Sequence, residues 1–141
     1  MKAERDRLKR LHRLERVRAI AKQSAMAEAA QAETTLAQFE ALAEKTRTMA
    51  AEYAARTRSV DGGDLAQVGR FADGLQTISA NTFGDAEKAR RVADAKMAAL
   101  NQAERRRAVV EERASQQARV VAKGYETPVL GARKAIGTDL D

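Results

Sequence analysis

Few residues in this chain carry reactive chemistry. His12 is the only histidine. It sits on an arginine-rich stretch with no companion ligands, where a solvated or packed side chain is the ordinary outcome. Cysteine is absent, which removes disulfides, thiolate nucleophiles and cysteine-ligated zinc. Gly62-Gly63 has the flexibility to cradle an anion, but Asp61 and Asp64 flank it with the wrong charge. There is no GxxxxGK[ST] phosphate loop and no GxGxxG fingerprint. The many carboxylates lie among arginines at helical spacing, as surface ion pairs do. We therefore expect no enzyme, no catalytic residues, no cofactor, no metal and no small-molecule substrate.

The remaining chemistry is recognition. Two basic segments stand far apart in sequence: Arg10, Arg13, Arg16 and Arg18 in one, and Arg105, Arg106, Arg107 and Arg113 in the other, with Arg119 and Lys123 beyond. A chain that doubles back merges them into one basic pole. A solvated face with interspersed Glu15, Glu104, Glu111 and Glu112 is the plain reading, and docking to an acidic surface is the functional one. Nucleic acid fits the charge, but the basic stretches lack interleaved aromatics for stacking and show no helix-turn-helix spacing. A second cluster is apolar: Leu42, Met49, Tyr53, Phe71, Leu75 and Ile78. It is either a well-packed helix tip or a surface for a protein partner.

The elements that must position these clusters are helices. Of 141 residues, 33% are charged and only 4% aromatic, and alanine supplies much of the 44% that is hydrophobic. That composition suits long exposed helices with a thin core. In the first half, Leu8, Leu11, Leu14, Val17, Ala21 and Ala25 form an apolar line. Ala32, Leu36, Phe39, Ala43, Thr46, Ala50 and Tyr53 then step by four and three, as a coiled-coil seam does. In the second half, Leu65, Val68, Phe71, Leu75 and Ile78 are the richest apolar series. From Ala86 the steps alternate strictly to Val121, with Lys96, Arg107 and Gln117 as polar seam positions.

Between the halves lies Ser59-Val60-Asp61-Gly62-Gly63-Asp64, a turn by composition, with Asp64 as N-cap and Gln67 three residues on. The expected fold is all-α, an antiparallel two-helix coiled-coil hairpin over 1–124 with a flexible C-terminal tail at 125–141. The helices run from about 2 to 58 and from about 65 to 123, joined by a turn at 59–64. Asn81, Thr82 and Gly84 predict a kink or break at 81–85, and Lys123-Gly124, with Pro128 beyond, predicts the final helix stop.

The basic leucine-spaced N-terminus, the alanine-rich first helix, Glu52-Tyr53, the short loop, Phe71-x-x-x-Leu75-x-x-Ile78 and the arginine-rich second helix together resemble the FliJ family of flagellar export proteins. The similarity spans about 8–123. It implies a stalk-like soluble component of the flagellar type III export apparatus, related to type III secretion stalks. Its implied partners are the hexameric export ATPase, the cytoplasmic domain of the export gate, and export chaperones. Its implied place is cytoplasmic, peripheral to the inner membrane at the flagellar base. By the resemblance, the basic pole faces the ATPase, and Leu42, Thr46, Met49, Tyr53, Phe71, Leu75, Ile78 and Thr82 match the gate-binding face. Thr46 and Met49 depart from the larger residues expected there, and the 81–84 interruption departs from a continuous helix. The alternatives are a basic helical nucleic-acid binder and an oligomerising coiled-coil scaffold, with nucleic acid the weaker expectation.

Overall fold

Ala, Leu, Arg, Lys, Glu and Gln are the strongest helix formers, and long runs of them admit no other regular structure. A computed structural model of the protein describes residues 1–57 and 62–137, with side chains placed for 1–56 and 65–126. It contains two helices, α1 (Lys2–Thr57) and α2 (Gly62–Gly137), and no strand among the described residues. They pack against each other as a helical hairpin within a single chain. By their mutual contacts they divide into two units. Unit 1 combines Met1–Ala25 with Leu100–Asp141, and unit 2 is Met26–Ala99.

In unit 2 the partnering is antiparallel. Glu28 meets Lys96, Glu40 meets Arg90, Thr46 meets Thr82 and Tyr53 meets Phe71. The buried residues of α1 are Ala29, Ala32, Leu36, Thr46 and Ala50, and those of α2 are Ala72, Leu75, Thr82, Ala86, Ala89 and Ala93. Alanine dominates because two helices approach closely only where side chains are short. Each buried methyl adds only about 0.8 kcal/mol. Phe39 supplies bulk by packing on the cluster of Ala32, Leu36, Ala89 and Ala93.

Unit 1 pairs the start of α1 with the far part of α2, again antiparallel: Glu4 with Gln117 and Lys22 with Glu104. Val110, Ala114 and Gln117 are its buried residues on α2. On α1 the half-buried positions are Glu4, Leu8, Leu11, Glu15, Arg18, Ala19, Lys22 and Ala25. This seam mixes polar side chains with apolar ones. Met1 accepts the first helical bond of α1 from Arg5 N–H at 3.1 Å. Its side chain lies where a Cβ on residue 124 would stand, with Met1 Cε only 2.6 Å from that point.

The expected seam holds in most places and slips in two. The line through Leu14, Val17 and Ala21 is not the seam; Glu15, Arg18 and Lys22 are. Both paths cover the stretch from Leu11 to Ala25, but successive steps of three carry a residue about 120° round the helix and off the contact line. The same slip affects α2. The seam runs through Ala72, Leu75, Ser79, Thr82 and Ala86, leaving Phe71 and Ile78 exposed beside it.

The break expected at 81–85 is absent, and α2 passes through it uninterrupted. Thr82 explains this. Its hydroxyl bonds the Ser79 carbonyl at 3.0 Å and shares a 2.9 Å hydrogen bond with the Thr46 hydroxyl across the seam, so packing overrides propensity. The stop at Lys123-Gly124 is not taken either: α2 continues to Gly137, and no described glycine has a positive φ. Gly124 makes room for Met1 rather than turning the chain. α2 opens at Gly62, two residues before the expected cap Asp64. Of the expected turn, 59–61 lie outside the described residues, as do 58 at the expected end of the first helix and 138–141 of the tail.

Gly84 is helical, and no atom stands within 4 Å of where its Cβ would be. Gly84→Ala should therefore raise stability by roughly 0.5–1 kcal/mol, read as an upward shift of the thermal midpoint by circular dichroism. A drop would show that the chain bends there. For the threonine pair, Thr46→Val should cost about 1 kcal/mol, and adding Thr82→Val should cost little more, because the cross-helix bond is already gone and each hydroxyl otherwise bonds a carbonyl of its own helix, Ala43 or Ser79. Additive losses in the same melts would sink that account of the pair.

Candidate functional site

A charged side chain can serve a partner only if its own chain leaves it unspent. Unit 1 gathers all eight arginines of the expected basic pole. Arg107 is spent internally. It sits in the seam and donates from Nε and Nη2 to both oxygens of Glu104, each at 3.0 Å, and from Nη1 to Glu111 at 2.9 Å. Lys22 reaches Glu104 from α1 at 2.8 Å. The hydrogen bond from Arg107, then that from Lys22, holds the Glu104 carboxyl down at about 2, and Glu104 in turn raises Arg107. This four-residue network ties the two helices together where an apolar seam would have used leucine. His12 lies 3.6 Å from Glu15 on the same helix, which accounts for it as a local pair.

The other arginines divide by face. Arg18, Arg105, Arg106 and Arg113 line one depression between the helices, about 340 Å³ in volume, together with Leu14, Gln102, Val109 and Val110. Arg113 also enters a neighbouring depression of about 410 Å³ with Arg7, Leu11, Gln116, Gln117 and Val120. Arg13 and Arg16 line neither, nor does Arg10. No carboxylate lines either depression. Along this side the positions of α1 are Arg7, Arg10, Leu14, Val17, Ala21 and Ser24, and those of α2 are Ala99, Gln102, Arg106, Val109, Arg113, Gln116 and Val120. Neither series holds an acid. Of the acids of unit 1, Glu4, Glu104 and Glu111 are bonded at the seam or across from this side, and Glu112, which lines neither depression, accepts a hydrogen bond from Gln116 at its edge.

Two features of this side were missed in the sequence. Leu14, Val17, Val109 and Val120 are exposed, Val17 by 60%. The Nε of Arg18 is buried without a hydrogen-bond partner. The signal for the first was available in the strict four-three count. The second needs the cross-helix packing.

In unit 2 the expected gate-facing residues separate. Thr46, Leu75 and Thr82 are buried in the seam and offer no surface, because they occupy the alternating contact positions. Met49 and Tyr53 are half-buried, with Tyr53 in an edge-on contact to Phe71 at 4.7 Å between ring centres. Leu42, Phe71 and Ile78 are exposed. Phe83, 63% exposed, belongs to another depression floored by Ala43 and Ala86. Four of the five charges there are paired, Arg90 with Glu40 and Arg47 with Glu44, and Glu87 makes no ion pair among the described residues.

Among the described residues no cluster of three or more His, Asp or Glu could hold a metal, and no helix is long and apolar enough to cross a membrane.

The Glu104 network has a pH signature. A carboxyl held down in the fold contributes stability that is complete above its ordinary value of 4.5 and is lost as pH falls toward about 2. The thermal midpoint of Glu104→Gln should therefore lie below wild type at neutral pH. The gap should narrow below pH 4.5 and close near pH 2. A gap that persists unchanged at acid pH would mean that Glu104 acts by packing, not charge.

Compared with protein-family models, with curated proteins and with solved structures, the chain matches none of them.

Proposed function

We propose that this chain is a non-enzymatic coiled-coil adaptor that binds other proteins, working as a stalk-like component of a flagellar type III export apparatus at the cytoplasmic face of the membrane. The observation that carries the adaptor reading is the side of unit 1 on which Arg18, Arg105, Arg106 and Arg113 stand among exposed Leu14 and Val109 with no carboxylate. Cations without internal partners, set among apolar side chains, favour an acidic protein surface, because both its charge and its apolar contacts find a match. The flagellar assignment rests on the sequence resemblance. In that setting the basic side of unit 1 docks the export ATPase ring, and exposed Leu42, Phe71 and Ile78 of unit 2 are left to contact the export gate.

The test is stimulation of purified export ATPase by the purified chain. Arg106→Glu/Arg113→Glu should reduce stimulation by about tenfold or more while helicity stays at the wild-type level. Neither arginine makes an ion pair among the described residues, so the fold loses nothing by the change. Unchanged stimulation would overturn the reading. Arg107→Glu is uninformative here, because it breaks the network to Glu104 and Glu111.

A further inference from the structure

We propose that the carboxylate-free groove of unit 1 receives a third helix from a protein partner, an acidic amphipathic helix that completes a local three-helix bundle. This deepens the adaptor reading by naming the chemistry of the partner at that site.

The geometry comes first. The two depressions share Arg113 and follow one side of the same helix pair, so they form one groove. Along it α2 advances from Gln102 to Val120, which is ~27 Å of helix rise, or about five turns. Its floor includes seam residues of both helices, Leu11 and Val110. A trough between two helices is the shape that a third helix fills, ridge into groove. A flat lipid surface does not enter a trough.

The chemistry then selects the occupant. Leu14, Val109 and Val120 recur along the groove beside Arg106 and Arg113, all five exposed. This is the pattern that an incoming helix would match with leucines at three-and-four spacing and glutamates beside them. Phosphate backbones gain nothing from leucine and valine, and no aromatic lines the groove for base stacking. The orphan Arg18 Nε supplies the independent observation. A buried guanidinium N–H without an acceptor is costly, and a carboxylate seated beside Arg18, which lines the depression, would offset part of that cost through its charge.

The probe is a synthetic peptide of about 18 residues, matched to that five-turn length, with Leu along one face and Glu flanking it, labelled for fluorescence anisotropy against the full chain. It should bind and gain helicity on binding. Arg106→Glu/Arg113→Glu should weaken it by about tenfold or more, and Arg13→Glu/Arg16→Glu, off the groove, by much less. Val109→Gln/Val120→Gln should also weaken it, and lowering salt should not restore the loss, since that part of the contact is apolar. The proposal is overturned if a peptide of the same composition with scattered leucines binds equally. It is also overturned if duplex DNA displaces the peptide and binds the valine variant as tightly as wild type. The peptide belongs to no export component, so the two readings separate. Stimulation of the ATPase without peptide binding overturns the groove alone, and peptide binding without stimulation overturns only the export assignment.

Discussion

Two helices alone have one contact line between them, and that constraint decides everything else here. A residue is either on the line or outside it, with no second layer to absorb exceptions. The four-three alternation therefore governs even where it selects awkward side chains. It places Thr46 and Thr82 inside, where each hydroxyl bonds a carbonyl of its own helix and meets the other across the seam, and it places Arg107 inside, where two glutamates pair with it. It leaves Phe71 and Ile78 outside although they are among the largest apolar residues available. Other polar intruders on the line also have named partners, Lys96 in Glu28 and Gln117 in the carbonyl and carboxylate of Glu4, whereas the Arg18 Nε has none. The register is thus held by matched polar pairs as much as by apolar area.

The same constraint sorts the charge. Glu4, Glu104 and Glu111 are committed to the unit 1 seam and its far edge. Their commitment removes them from the opposite side, where Arg106 and Arg113 stand without compensation. The positive charge of unit 1, part of a chain whose formal net charge is +6, is therefore not spread as a uniform coat. Glu104, answering both Lys22 and Arg107, is the residue on which the sorting turns: it joins the helices and withholds acid from the groove.

Much of this was legible in the sequence. The composition gave two long helices and no strand, and counting by three and four located the contact line through Ala32, Leu36, Thr46 and Ala50, and again from Ala86 to Val121. Reading failed where residue identity was preferred to the count. Leu14 and Val17 look like core by type but are reached from Leu8 only through successive steps of three, and Phe71 and Ile78 look like core until the line is carried back from Ala86 through Thr82, Ser79, Leu75 and Ala72. It failed again where local propensity was weighed without a packing partner. Asn81, Thr82 and Gly84 look like a break until Thr46 is placed opposite Thr82. Gly124 looks like a stop until Met1 is found occupying the space its missing side chain leaves. The groove was the least legible feature, because its walls come from residues about ninety positions apart and only antiparallel pairing brings Leu14 beside Val109.

Over 14–22 of α1 the distribution of apolar residues is the reverse of what an isolated helix pair would favour. Glu15, Arg18 and Lys22 are drawn toward the partner helix, while Leu14, Val17 and Ile20 face outward. One exposed leucine or valine is ordinary on any protein surface. Here the outward apolar residues adjoin the same arginines that lack acidic neighbours, and the one buried nitrogen without a partner lies beside them. A seam held by ion pairs tolerates the loss of leucines, because Lys22, Glu104 and Arg107 keep the helices in register without them. Those leucines and valines are then available to a contact outside the pair. The polar seam and the apolar groove are in this sense one device, in which charge supplies the register inside and frees hydrophobic surface for recognition outside.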